Sequence, residues 1–115
     1  MDNDGPTMSE QAAATPRLAR PFEDGRLALQ LSTDAASFPF AAFAHALVRA
    51  RNGTIVERLG AFEVDETYWD LAIDGQVLTL HRQHYLGVFL CATDVASEAV
   101  LETIVPFAAN YLSGR

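Results

Sequence analysis

Asp74-Gly75 stands between two alternating runs, TYWDLAI before it and QVLTLHR after it, and limits the fold more sharply than any other dipeptide in the chain. A two-residue type I′ turn needs positive φ at both central positions. Asp-Gly tolerates this where most pairs do not, so the stretch predicts a β-hairpin. The turn also sets the register. With Ile73 opposite Gln76, Leu71 falls opposite Leu78 and Trp69 opposite Leu80, and one face of both strands is apolar together. The other face then carries Ala72 beside Val77, Asp70 beside Thr79 and Tyr68 beside His81.

The flanking segments supply the rest of a sheet and its cover. Tyr85 to Ala92 is apolar at nearly every position, with Leu86, Val88 and Leu90 on one side and Phe89 and Cys91 on the other. A strand with one wet face alternates, so this one is expected to be central and covered on both faces. Arg26 to Leu31 places Leu27, Leu29 and Leu31 on one face of a short strand, and Ser32, Thr33 and Asp34 supply turn and N-cap chemistry after it. Thr54 to Val64 reads as a strand broken near Gly60. The competing reading extends the preceding helix to Leu59, which Asn52-Gly53 opposes.

Two helices are expected. Phe40, Phe43, Ala44, Leu47, Val48 and Ala50 recur at three- and four-residue steps, predicting a helix that starts near Phe38, tolerates Pro39 only in its first turn and ends at Arg51 before Asn52-Gly53. Thr93-Asp94 caps a closing helix whose stripe is Val95, Leu101, Ile104, Val105, Ala108, Tyr111 and Leu112; Pro106 inside it predicts a kink or a break. The reading is an α+β fold, an antiparallel sheet of about four to five strands with two helices in the order β-α-β-β-β-β-α. It occupies residues 25–115 as one domain, and residues 1–24, with Pro6, Pro16 and Pro21 and no periodicity, read as a flexible tail.

Composition removes several classes of function. The 115 residues carry a formal net charge of −7, and all eight cations are arginine, scattered along the chain. That balance repels a phosphate backbone and anionic membrane, so neither nucleic acid nor membrane is expected as a partner. The absence of lysine excludes a Schiff-base lysine and a Walker-type phosphate lysine, and an Ala- and Arg-rich chain of this kind suggests a GC-rich, bacterial source. One cysteine, Cys91, cannot form an internal disulfide, and no opening segment joins a basic start to an apolar run, so the expected location is the cytoplasm.

Few residues could carry chemistry. His81-x-x-His84 has a metal-binding spacing on a helix, but on a strand the two point to opposite faces, so no metal site is expected. Tyr68, Asp70 and His81 meet on one face of the hairpin, where a carboxylate could orient a histidine; they are the catalytic or ligand-binding candidates, with a hydrogen-bonded polar patch as the plainer reading. Cys91 reads as an inert buried thiol, and Phe40, Phe43, Phe62, Trp69, Phe89 and Phe107 as core rather than a ligand box. Glycine spacing offers no phosphate loop, and no cofactor is expected.

What remains is an imbalance between sheet and cover. Either one helix covers each face, or both cover one and a second molecule covers the other, as in a symmetric dimer. By elimination the expected function is a small acidic protein-protein interaction module without catalysis, its partner another protein that the charge favours as basic. In size and charge, though in no motif, the chain is similar to toxin-neutralising immunity proteins and to chaperones of secreted effectors. The alternative is a small enzyme or ligand-binding protein with its site around Asp70, His81 and Tyr68.

Overall fold

The computed structural model describes residues 16–60 and 66–114. Its elements are β1 (Arg17–Ala19), β2 (Ala28–Ser32), α1 (Phe40–Ala50), β3 (Thr54–Leu59), β4 (Glu66–Ile73), β5 (Gln76–Gln83), β6 (Gly87–Ala92) and α2 (Val95–Ser113). The strands form one antiparallel sheet in the order β1-β2-β6-β5-β4-β3. The α+β expectation holds, with a sixth strand added. That strand, β1, comes from the stretch expected to be a tail: Arg17, Leu18 and Ala19 pair with Gln30, Leu29 and Ala28. Residues 1–15 of the expected tail lie outside the described residues, as do 61–65 of the stretch after Gly60.

The hairpin has the expected register throughout. Ile73 lies opposite Gln76, Leu71 opposite Leu78, Trp69 opposite Leu80 and Tyr68 opposite His81. Asp74 and Gly75 both have positive φ, 53° and 80°, as a type I′ turn requires. Arg51 donates to Asp74 and, at 2.9 Å, to Thr103 Oγ1, tying the turn to the end of α1 and to α2.

β6 lies between β2 and β5, with all six of its residues buried. Its beginning differs from expectation. Tyr85 and Leu86 belong to the turn rather than the strand, and Leu86 is 52% exposed. The cause is Gln83, whose Oε1 accepts from the backbone N–H groups of Tyr85 and Leu86 at 2.8 Å each, closing a tight turn before the strand starts. Gly87 then passes so close to β2 that a Cβ there would collide with the Ser32 carbonyl oxygen.

Both described helices pack on the same face of the sheet. α1 lies against β3 and β4, and α2 against β5, β6 and β2. The core between them joins Phe43, Leu47, Leu101 and Ile104 to Leu29, Leu31, Leu71, Ile73, Leu78, Leu80 and Leu90. Of the two arrangements left open by the sequence, the one with both helices on one side is found.

The helix ends are set locally. α1 begins at Phe40 with Pro39 as its cap residue and no side-chain cap, because Asp34 instead accepts from Ser37 in a separate turn. It ends at Ala50 with Arg51 as its cap, and the expected stop follows at Asn52, in the left-handed region at φ 55°, with Gly53 N–H donating to the Val48 carbonyl. At α2, Asp94 and Ser97 form a reciprocal capping box. The helix runs through Pro106 without a break. Pro106 and Glu102 are exposed, so the Glu102 carbonyl that loses its donor faces solvent. Val95 leaves the expected stripe and is 81% exposed, one residue beyond the cap.

Candidate functional site

On the face away from the helices, strand alternation gathers Glu57 and Leu59 of β3, Glu66, Tyr68, Asp70 and Ala72 of β4, Val77, Thr79 and His81 of β5, and Phe89 and Cys91 of β6. Among the described residues, the segment between β1 and β2 crosses part of this face. Its Phe22 packs on Ala28, Phe89 and Cys91. The Phe22 and Phe89 rings meet edge to face at 5.2 Å, and the Arg26 guanidinium lies over Phe22 at 4.4 Å. Arg20 holds the segment to α2 through two hydrogen bonds to the Glu98 carboxylate, 2.9 and 3.1 Å.

His81 is the central polar group. It is 4% exposed, its ring stacks on Tyr68 at 4.4 Å and 15°, and among the described residues neither ring nitrogen has a hydrogen-bond partner. Burial lowers its pKa, Glu66 opposes that shift and Arg26 adds to it, so the imidazole is neutral at physiological pH. The Glu66 carboxylate lies beside it, with Oε1 3.8 Å from Nε2, too long for a hydrogen bond. The Tyr68 hydroxyl donates to that same oxygen, which holds Glu66 below its ordinary value and raises Tyr68 above its own.

The structure therefore brings Tyr68 and His81 together and leaves Asp70 apart. Asp70 accepts from the Thr79 hydroxyl at 2.7 Å, directly across the hairpin. Sequence reasoning missed Glu66, which two-residue alternation from Tyr68 would have placed on this face had the strand been started one residue earlier. It also missed Phe22, for which the proline-flanked segment carried no periodic signal. Cys91 is fully buried, and burial pushes its thiol up to about 11, leaving it protonated and unreactive at neutral pH. His84 lies in the turn, its ring against Tyr85. Among the described residues, no group of three or more His, Cys, Asp or Glu is placed to hold a metal ion.

Charge is sorted between the two faces. Glu57 and Asp70 lie opposite each other on β3 and β4, with Glu66 further along β4. The arginines of β3 and β5 turn the other way: Arg58 lies over Trp69 at 4.9 Å, and Arg82 donates to Thr67 and lies over Phe40. The protein is thus an α+β fold with one helix-covered face and one acidic, aromatic face. No protein family, curated protein or solved structure matches this chain. No described helix is long and apolar enough to cross a membrane.

Proposed function

We propose that this chain is a protein-interaction module without catalytic activity, docking another protein on the sheet face opposite its helices. The observation that carries this reading is that α1 and α2 share one face. Sheets in layered folds cover the faces that bear apolar side chains. Here Tyr68, Ala72 and Val77 continue the apolar surface beyond Phe22, and among the described residues no helix lies over them. The partner is basic. Glu57, Glu66 and Asp70 give the docking face the sign of the whole chain, which carries −7, and a positive surface would be steered to it. The same charges disfavour a symmetric dimer through this face, which would set carboxylate against carboxylate. An adaptor of the immunity-protein or secretion-chaperone kind, working in the cytoplasm, fits this size and charge.

A second reading, a small ligand-binding or enzymatic site at Tyr68, His81 and Asp70, is favoured by the His81 nitrogens, which have no partner among the described residues. Affinity capture of the tagged chain from its host separates the two. Wild type and Glu102→Gln, on the exposed side of α2, are expected to recover one stoichiometric protein, and Val77→Arg to lose it while staying folded. Recovery of only a small molecule or metal, or capture indifferent to Val77→Arg, would overturn the docking reading.

A further inference from the structure

We propose that residues 17–26, β1 and the crossing segment with Phe22, are a releasable strap. It opens as one unit while the helix-covered core stays folded, and by opening it bares apolar sheet to the basic partner. The second half rests on the reading of the face away from the helices as the docking surface and adds what regulates it.

Three features mark these residues as a separate unit. The first is a cluster of their own. Phe22 packs on Ala28, Phe89 and Cys91, across the sheet from the core that joins both described helices to the strands. Lifting Phe22 therefore leaves Leu29, Leu78, Leu80 and Leu90 packed as before. The second is a light hold on the sheet. β1 supplies three residues to one edge, all exposed and paired with β2. Local opening draws on elements of this kind, with few buried contacts and solvent-exposed backbone hydrogen bonds. Arg20 adds an exposed ion pair to Glu98, which is worth little in water and less in salt.

The third feature is that the segment is tied to itself. Gly25 N–H donates to the Phe22 carbonyl at 3.0 Å, Arg20 donates to the Gly25 carbonyl at 2.7 Å, and Arg26 lies over the Phe22 ring. These contacts travel with it, so it swings as a body rather than fraying residue by residue. Beneath it, Ala28, Phe89 and Cys91 are buried, and the Phe22 ring also lies 5.8 Å from that of His81. Its departure extends the apolar surface of Tyr68, Ala72 and Val77 toward β2.

The strap's own chemistry names what takes its place. It sets Arg17, Arg20 and Arg26 against Glu23 and Asp24, a positive segment with an aromatic ring, on a chain that carries −7 overall. The basic partner competes for the same seat with an extended segment that pairs with β2 and lays an aromatic side chain on Phe89 and Cys91.

Cys91 is the one cysteine in the chain and lies buried under Phe22, so its reaction with a thiol reagent reports opening. The full chain is to be labelled with dithiobisnitrobenzoate over a series of urea concentrations. The expected rate is nearly flat at low urea, where only the strap opens, and rises steeply as global unfolding takes over. Phe22→Ala should speed the low-urea rate about three- to tenfold, from the half-burial of one phenylalanine. Ile104→Val, in the core on the other face, should leave that rate unchanged while lowering the global midpoint. Labelling that follows global unfolding at every urea concentration, or that Ile104→Val speeds as much as Phe22→Ala does, would overturn the strap.

Regulation of docking is read by locking the strap. Arg17→Cys and Gln30→Cys, opposite each other on β1 and β2, supply a disulfide in a Cys91→Ala background. The oxidised protein is expected to lose the partner that wild type captures and to regain it on reduction. Equal capture in the two states overturns the regulation. If labelling shows no local opening while capture still depends on Val77, this inference alone is lost. If capture is indifferent to Val77, the docking reading falls and takes the regulation with it.

Discussion

At the scale of single residues, His81 concentrates the unusual energetics of the fold. A buried polar atom without a partner costs about 1–3 kcal/mol, and among the described residues this ring has two. What holds it in place is stacking on Tyr68 and packing near Phe22 and Phe89. The pH dependence follows from its lowered pKa. The unfolded chain takes up a proton as pH falls below about 6.5, while the folded chain resists until lower pH. The stability tied to a neutral His81 is therefore complete above about 6.5 and is lost as pH falls from there through the folded value. His81→Phe keeps a ring against Tyr68 and removes both nitrogens. It is expected to raise stability by about 1 kcal/mol and to flatten the acid side of the profile, read from urea unfolding well above and well below about pH 6.5. An acid loss as steep as that of wild type would show that His81 is not its source.

At the scale of elements, the edge strand and the closing helix each depart from regularity in a way that local chemistry explains. β3 forms one edge of the sheet, and its register slips between Ile55 and Glu57, leaving Val56 in a bulge followed by Glu57 and Arg58. A bulge and charges on an edge discourage a further strand from adding there. In α2 the exposed Pro106 interrupts the hydrogen-bond ladder without breaking the helix. Tertiary packing of Leu101, Ile104 and Ala108 offsets a local preference that disfavours proline by about 3 kcal/mol. Pro106→Ala should thus stabilise the protein by about 1–3 kcal/mol, measured as a rise in the thermal or urea midpoint. No change would mean that the proline is accommodated by strain-free bending.

At the scale of the whole molecule, the two faces differ in charge as much as in cover. The face away from the described helices carries Glu57, Glu66 and Asp70, with Arg26 over Phe22 toward β2, while Arg58 and Arg82 lie with the aromatic rings on the other. Two copies brought together through the acidic face repel most strongly at low ionic strength, where the Debye length exceeds about 10 Å. Light scattering near neutral pH and low salt is therefore expected to find a monomer. A dimer blocked by Val77→Arg would instead place a second copy on that face.

Much of this was legible in one dimension, because period-two alternation and a turn demanding positive φ determine which residues share a face and which stand opposite. The register from Tyr68–His81 to Ile73–Gln76, the Asn52-Gly53 stop and the cap at Asp94 all follow from neighbours a few residues apart. Which face the helices would cover did not, since both faces of β6 are apolar and only the packing of distant segments chooses between them. The same holds for β1 and Phe22: a short proline-flanked stretch has no period of its own and acquires structure only from the β2 edge and the Phe89 ring it meets. Alternation settled the faces of the hairpin; long-range contact decided which of them the two described helices would cover.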